Sequence, residues 1–294
     1  MINSALQPEF SLVISTLGPA EGLAECLASI MAQTLESFEV IIVDQNDSDH
    51  VGRITEKYIG RGNLRYTRSG VGLSKGRNSG LAMARGRIVG FPDDDCDYPA
   101  TLLAEVKAKF LTKRNASGVC VRCVDHQGNA SAGRSDRRSG FITKSNVWRR
   151  AVSIGMFLDT DAVRKAGGFD ESIGLGSNTP YLSGEETDLL LTLLSQGHQV
   201  YYEPALNVYH PPDPVTIMPN HLSRAYSYGM GKGFVLRKHK YEVQQVIIHF
   251  AKPVFGVVLA IVLGNLPLAR LRFRRAKGRY DGWRSSVPKY QKRL

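Results

Sequence analysis

The sequence predicts an α/β fold, a mostly parallel sheet with helices on its faces, followed by a C-terminal helical tail of a different character. Three observations carry this. Short apolar runs of strand length alternate with segments of helical spacing, which calls for parallel strands joined by right-handed crossovers. Carboxylates recur just past the ends of those runs. The net charge of +11 is not spread over the 294 residues: from Arg237 onward 14 Lys/Arg face only Glu242 and Asp281, so the earlier residues are close to neutral. A composition of 43% hydrophobic and 22% charged residues is that of a folded chain, long enough for one large domain or one domain with an appendage.

Phe10 to Thr16 reads as the first strand, punctuated by Gly18-Pro19. Glu21 to Gln33 then carries Leu23, Leu27, Ile30 and Met31 at helical spacing. Phe38 to Val43 is the second strand and runs into Asp44, Asp47 and Asp49; His50 to Tyr58 is a helix and Leu64 to Thr67 the third strand. The stretch Gly70 to Asn78 matches neither the dinucleotide fingerprint nor the P-loop. It does place backbone N–H groups, Lys75 and Arg77 near a helix start, a setting for phosphate, although the same cations could simply solvate a helix.

Ile88 to Phe91 is the fourth strand, and it ends in Pro92-Asp93-Asp94-Asp95, with Asp97 two residues on. Crowding so much negative charge is costly unless a cation sits there. Hard oxygen ligands suit Mg²⁺ or Mn²⁺ bridging to phosphate rather than zinc. Ligands of open α/β sheets bind beyond the carboxyl ends of the strands, so Asp44 and Asp93 to Asp95 would face one crevice. A solvated acidic turn is the plain alternative.

Ala100 to Phe110 is a helix, Gly118 to Val124 a strand, and Asp125 to Asn146 a polar loop of a length that either works or is disordered. Cys120 and Cys123, with His126, could seed a zinc site, but no second pair follows and the stretch alternates like a strand. The four scattered cysteines fit reduced cytosolic thiols. After a Gly/Ser/Thr-rich loop, Glu185, Glu186 and Asp188 occupy the first turn of a helix marked by Leu189, Leu190, Leu193 and Leu194. Exposed N–H groups favour acidic residues there, yet three are more than a cap needs. Gln199 to Tyr202 and Leu206 to Tyr209 read as two strands, the second followed by His210.

Six segments, in this order, resemble the inverting family-2 glycosyltransferases with a Rossmann-like GT-A fold: Ser15-Thr16, Val43-Asp44, Lys75-Gly76-Arg77-Asn78, Phe91 to Asp95 as a DxD motif, Gly167 to Glu171, and Gly184 to Leu189 as an ED motif. The resemblance covers roughly residues 10 to 215 and implies an enzyme that uses a nucleotide-diphosphosugar donor, a UDP-sugar favoured, with Mn²⁺ or Mg²⁺. It implies that Thr16 and Asp44 contact the nucleoside, that Arg77 lies near the nucleotide, that Asp93 serves the ribose or sugar side, and that Asp94 belongs to the nucleotide-sugar site. Asp95 would coordinate the metal, with Asp93 and His210 as further ligands. Glu186 would be the general base, where many relatives have Asp; Glu185 stays open for that role. Two carboxylate stations on opposite faces of one sugar would account for acidic motifs at distant places in the chain. A sugar-nucleotide nucleotidyltransferase is disfavoured because Ser15 to Pro19 lacks the Gly-rich basic loop such enzymes carry.

Residues 1–220 are therefore expected to form the catalytic domain and 221–294 a basic, apolar helical tail. Pro253 to Ala269 holds 17 uncharged residues, and Arg270 to Arg279 six basic ones in ten. A spanning helix needs about 20 apolar residues, so a helix lying in an anionic leaflet is the expectation, with core packing and a true span as alternatives. Such a tail would hold the enzyme on the cytoplasmic face of the membrane, peripherally or monotopically, near a lipid-linked or other saccharide acceptor. A soluble enzyme acting on a protein or free saccharide is the rival. The N-terminus shows no secretory leader, and no nucleic acid is expected, since the basic residues sit beside membrane-like sequence.

Overall fold

The computed structural model describes residues 7–59, 63–131, 135–212 and 220–285. It divides into two units, Met1–Asp170 with Leu189–Asp213, and Glu171–Asp188 with Pro214–Leu294.

The first unit holds β1 (Phe10–Thr16), α1 (Leu23–Met31), β2 (Phe38–Asp44), α2 (His50–Glu56), β3 (Leu64–Arg68), α3 (Leu73–Met83), β4 (Ile88–Gly90) and α4 (Leu102–Thr112). Then follow β5 (Ala116–Val124), β6 (Gly140–Phe141), β7 (Met156–Asp159), α5 (Thr160–Lys165), α6 (Glu185–Ser195), whose first turn belongs to the second unit, and β8 (Gln199–Tyr209). The strands form one sheet in the order β3-β2-β1-β4-β7-β5-β8-β6. β1, β2, β3 and β4 are parallel, as are β5 and β8, whereas β7 runs antiparallel between β4 and β5. The predicted class, a mostly parallel sheet with flanking helices, is what the chain forms.

β1 and β2 are buried along nearly their whole length because both sheet faces are covered. Phe10, Leu12 and Ile14 pack with Leu23, Leu27 and Ile30 of α1 and with Leu102, Leu103 and Val106 of α4. On the opposite face α3 approaches until a Cβ on Gly80 would stand 2.2 Å from Val13 Cγ1, and one on Gly76 2.1 Å from Ser15 Oγ. The two glycines set the depth of α3, and hence of Arg77, against the strand ends. One expectation is corrected: Gln199 to Tyr209 is a single strand, not two. The register with β5 jumps from Val121↔Glu203 to Arg122↔Asn207, so a bulge absorbs Pro204 and its neighbours without ending the strand.

The second unit contains α7 (Asn220–Lys238), α8 (Val243–Val262) and α9 (Leu266–Arg284). α7 and α9 touch backbone to backbone. A Cβ on Gly229 or Gly233 would stand 2.3 Å from Arg275 O or 2.1 Å from Arg279 O, and one on Gly278 or Gly282 2.0 Å from Tyr226 O or 2.1 Å from Met230 O. α8 continues through Pro253, which has no N–H for the carbonyl of His249 four residues back. Arg279 of α9 supplies the missing donor through Nη1. The apolar run does not continue to Ala269 as one segment: α8 closes near Gly264 at φ 71°, and Asn265 caps α9 by accepting from Leu268 N at 3.0 Å. α8, at 20 residues, is long and apolar enough to cross a membrane, and its large hydrophobic side chains are mostly exposed.

Candidate active site

The carboxyl ends of β1 and β2 lie side by side because the strands are parallel and in register, with Thr16 opposite Asp44. Asp44 is fully buried. Its Oδ1 accepts from the backbone and side-chain nitrogens of Asn46, both at 2.9 Å, and its Oδ2 from the Tyr66 hydroxyl at 2.6 Å. Burial and the bond to Asp44 push the Tyr66 phenol above its ordinary range, so it remains a donor. A hollow of about 530 Å³, lined by Asp49, Gly52, Arg53, Glu56, Tyr66 and Arg68, opens beside it.

The three aspartates after β4 have three different fates. Asp93 Oδ1 receives Arg77 Nη2 at 3.0 Å; that guanidinium, 2% exposed, also donates to Ser153 Oγ at 2.9 Å and lies over the Phe169 ring. Asp94 accepts from Thr16 Oγ1. Its burial raises the carboxyl above the usual range, and the charges of Asp93 and Asp95 add to the rise. Asp95 is exposed and meets His210 Nε2 at 3.3 Å. That bond lowers the Asp95 carboxyl and raises the His210 imidazole. His210 arrives there because Asp97 and Tyr209 exchange two backbone hydrogen bonds of 2.9 Å, stitching the end of β8 to the aspartate turn.

Thr16, Asp44, Arg77, Asp93, Asp94, Asp95 and His210 are therefore neighbours in one unit. Of the three expected metal ligands, Asp95 and His210 meet directly, and Asp93 has Oδ1 on Arg77. Among the described residues no three His, Cys, Asp or Glu side chains are grouped to hold a metal. Asp95 and His210 nevertheless offer the donor chemistry of a Mn²⁺ or Mg²⁺ site completed by diphosphate oxygens and water, since such ions take few protein ligands when substrate phosphates are present. Among the described residues no zinc-ligand group gathers at Cys120 and Cys123: both are buried in β5, Cys123 meets Ser131 Oγ at 3.0 Å, and His126 stacks on Tyr209.

In the second unit, Gly184 at φ 99° turns the chain into α6. Asp188 is buried and receives Lys238 Nζ at 2.8 Å and His239 Nε2 at 2.7 Å. Of the other two acids, Glu185 is buried and Glu186 half-buried, so Glu186 is the more accessible. Asp188 thus fixes the turn that presents Glu186. Sequence reasoning missed Tyr66, Ser153, Lys238 and His239. For Tyr66 a signal existed, a polar aromatic in the strand beside Asp44; Lys238 and His239 lie about fifty residues from Asp188 and carry none.

A family model described as Glycosyl transferase family 2 matches residues 11–166. The chain belongs to that family. Glycosyltransferase EpsJ of Bacillus subtilis is 34% identical over 98 residues, 33% of this chain and 28% of EpsJ. TarS of Staphylococcus aureus, a poly(ribitol-phosphate) beta-N-acetylglucosaminyltransferase, is 31% identical over 120 residues, 39% of this chain and 21% of TarS. The matches thus span about a quarter of those curated relatives. The structure of TarS 1-349 in complex with UDP-GlcNAc has a TM-score of 0.59 at 14% identity, covering 93% of this chain and 91% of that one. The mannosyltransferase PcManGT of Pyrobaculum calidifontis, in complex with GDP-Man and Mn²⁺, reaches 0.60 at 14% identity, covering 95% and 88%. The fold is GT-A.

Proposed function

We propose that the chain is a metal-dependent, inverting glycosyltransferase that moves a sugar from a nucleotide-diphosphosugar, a UDP-sugar favoured, to a hydroxyl of a lipid-linked or polysaccharide-precursor acceptor. The observation that carries this reading is the division of labour in the aspartate turn: Asp93 and Asp94 are engaged by Arg77 and Thr16, and Asp95 stands exposed beside His210. Asp44, held on both oxygens by Asn46 and Tyr66, is a fixed acceptor for donors on the nucleobase. Thr16 and Asp94 line the nucleoside, and Arg77, through Asp93, orients the ribose or sugar side. Asp95 and His210 would hold the metal. The chemistry Mn²⁺ or Mg²⁺ supplies when bound is positive charge against the negative charge that develops on the diphosphate.

Glu186 takes the proton of the acceptor hydroxyl as that oxygen bonds to the anomeric carbon. The bond from that carbon to the diphosphate oxygen breaks and its electron pair leaves with the nucleoside diphosphate. One displacement with one base inverts the anomeric centre. Residues 1–220 act as the catalytic domain and 221–294 as the tail; the exposed apolar side chains of α8 support a membrane contact, and the cytoplasmic face is the side assigned to it in this reading.

The test is a screen of nucleotide-sugars with Mn²⁺ or Mg²⁺ on membrane-containing enzyme, following release of nucleoside diphosphate. Turnover with one donor is expected, abolished by chelation and restored by the ion. Asp95→Asn should raise the ion concentration needed for half-maximal rate about tenfold or more, as loss of one ligand to a sparsely held metal implies. Full activity in chelator would overturn the metal assignment.

A further inference from the structure

The three helices of the second unit carry a cationic cluster that the transfer reaction does not use. Arg275 and Arg279 sit one turn apart on α9, and His249 and Lys252 one turn apart on α8. The bond from Arg279 Nη1 to His249 O ties the two helices at this point, and Lys232 of α7 lies within reach of the charges of Arg279, Arg275 and Lys252. Burial, with the charges of Arg279, Arg275 and Lys252, holds the Lys232 ammonium down to about 7. Arg279 itself is 8% exposed, and its Nε, a buried donor, has no hydrogen-bond partner among the described residues. A buried guanidinium N–H without an acceptor is costly, typically about 1–3 kcal/mol, and marks a place for one.

The helices have no acid of their own to supply it. Glu242 and Asp281 are their only acidic residues. Glu242 is spent in the capping box of α8, and Asp281 accepts from Tyr226 and Lys277, both at 2.7 Å. Beside the cluster runs the outer side of α8, with Ile247, Val254, Phe255, Val258, Ile261 and Val262 all more than half exposed. Lys252 stands next to this apolar run, and Arg272 reaches across to Gly256 O at 2.6 Å.

We propose that the α7–α9 unit binds the phosphate group of an anionic membrane lipid, with the phosphate on Arg279, Arg275 and Lys252 and the acyl chains along the exposed side of α8. An anion there accepts from Arg279 Nε and relieves the repulsion among the cations, while hydrocarbon covers side chains that none of the described residues of the unit covers. The inference rests on the reading that the tail meets a membrane and deepens it into a defined headgroup site.

The experiment is vesicle flotation of the full chain at constant ionic strength, with phosphatidylcholine vesicles and with the same vesicles carrying a minority of phosphatidylglycerol. Lys252→Glu with Arg275→Glu, both at exposed positions, should weaken binding to the phosphatidylglycerol vesicles at least about tenfold and leave binding to phosphatidylcholine unchanged. Phe255→Ser with Val258→Ser should weaken binding to both. In a Trp148→Phe background Trp283, which packs on Phe250, is the remaining tryptophan. Its emission should shift with phosphatidylglycerol vesicles and not with inorganic phosphate. Equal binding of the charge-reversed and parent chains would overturn the phosphate site while leaving an apolar membrane contact intact. A shift with inorganic phosphate that also releases the chain from vesicles would overturn the lipid as the source. Turnover enters none of these readings, so the transferase assignment stands or falls separately.

Discussion

The two units handle surplus charge in opposite ways. At the strand ends of the sheet the excess is negative, and nearly every carboxylate has a built donor: Asn46 and Tyr66 for Asp44, Arg77 for Asp93, Thr16 for Asp94. Of Asp44 and the three aspartates after β4, Asp95 is the one left exposed, with a histidine for company. In the three helices the excess is positive, the acids are committed elsewhere, and a buried Nε has no acceptor among the described residues. A site that compensates its own charge is organised before substrate arrives and needs one more cation. A region that leaves charge uncompensated needs an anion from outside.

The sharpest way to break this contrast is at the turn that presents the base. Glu186→Gln keeps shape and removes the proton acceptor, so turnover should fall about 10²–10⁴-fold with donor binding and thermal midpoint unchanged. Calorimetric titration with nucleoside diphosphate beside a steady-state assay checks both. If Glu185→Gln gives the large loss and Glu186→Gln does not, the base is Glu185.

The next effect is on stability and belongs to the compensated unit. Arg150, 8% exposed, donates from Nε and Nη2 to Asp136 Oδ2 at 3.0 and 2.9 Å, and from Nη1 to the carbonyls of Gly140 and Phe141 at 3.0 and 3.1 Å. Burial alone would raise the Asp136 carboxyl, but Arg150 holds it below its ordinary value. The pair therefore contributes in full at neutral pH, and the contribution fades as pH falls through that lowered value. Arg150→Met should cost about 3 kcal/mol in urea unfolding at neutral pH, and less in acid. An unchanged midpoint would show that the stretch from Asp125 to Asn146 is not anchored here.

Helix contact in the second unit comes third. Gly278→Leu places a branched side chain where even a Cβ stands 2.0 Å from Tyr226 O, a backbone atom that moves only with its helix. About 1–3 kcal/mol of destabilisation is expected. Vesicle binding should fall with it, and nucleoside diphosphate binding by the sheet unit should persist. Loss of both together would mean that the two units fold as one.

How much of this was legible depended on whether the cause was local. β1 spans the predicted residues because a strand buried on both faces is a run of apolar residues with sharp ends. The acidic strand ends were equally plain. The insertion of β7 between β4 and β5 is a long-range pairing that no window of sequence records. Pro204 falls in the gap between the two expected strands and Pro253 at the start of the expected apolar run, yet neither ends its element: a bulge absorbs the first, and an arginine from another helix replaces the donor lost at the second. Lys238 and His239 looked like part of a basic tail, whereas they hold Asp188. Where local rules failed, a tertiary partner had removed the penalty on which the rule rests.

The smallest effect is the most discriminating. Tyr66→Phe removes one hydroxyl and leaves Asp44 Oδ2 without its 2.6 Å donor, the nearest cation being Arg68 Nε at 4.0 Å. A buried carboxylate oxygen that loses a donor costs about 1–3 kcal/mol, partly recovered if Arg68 closes in. If Asp44 only braces the end of β2, the loss appears as a lower Tm and the kinetic constants stay put. If Asp44 receives the donor's base, the carboxylate is free to rotate away, and KM for the nucleotide-sugar should rise severalfold with kcat unchanged, since base binding is equal in ground and transition states. A fall in kcat without a rise in KM would remove Asp44 from nucleoside recognition.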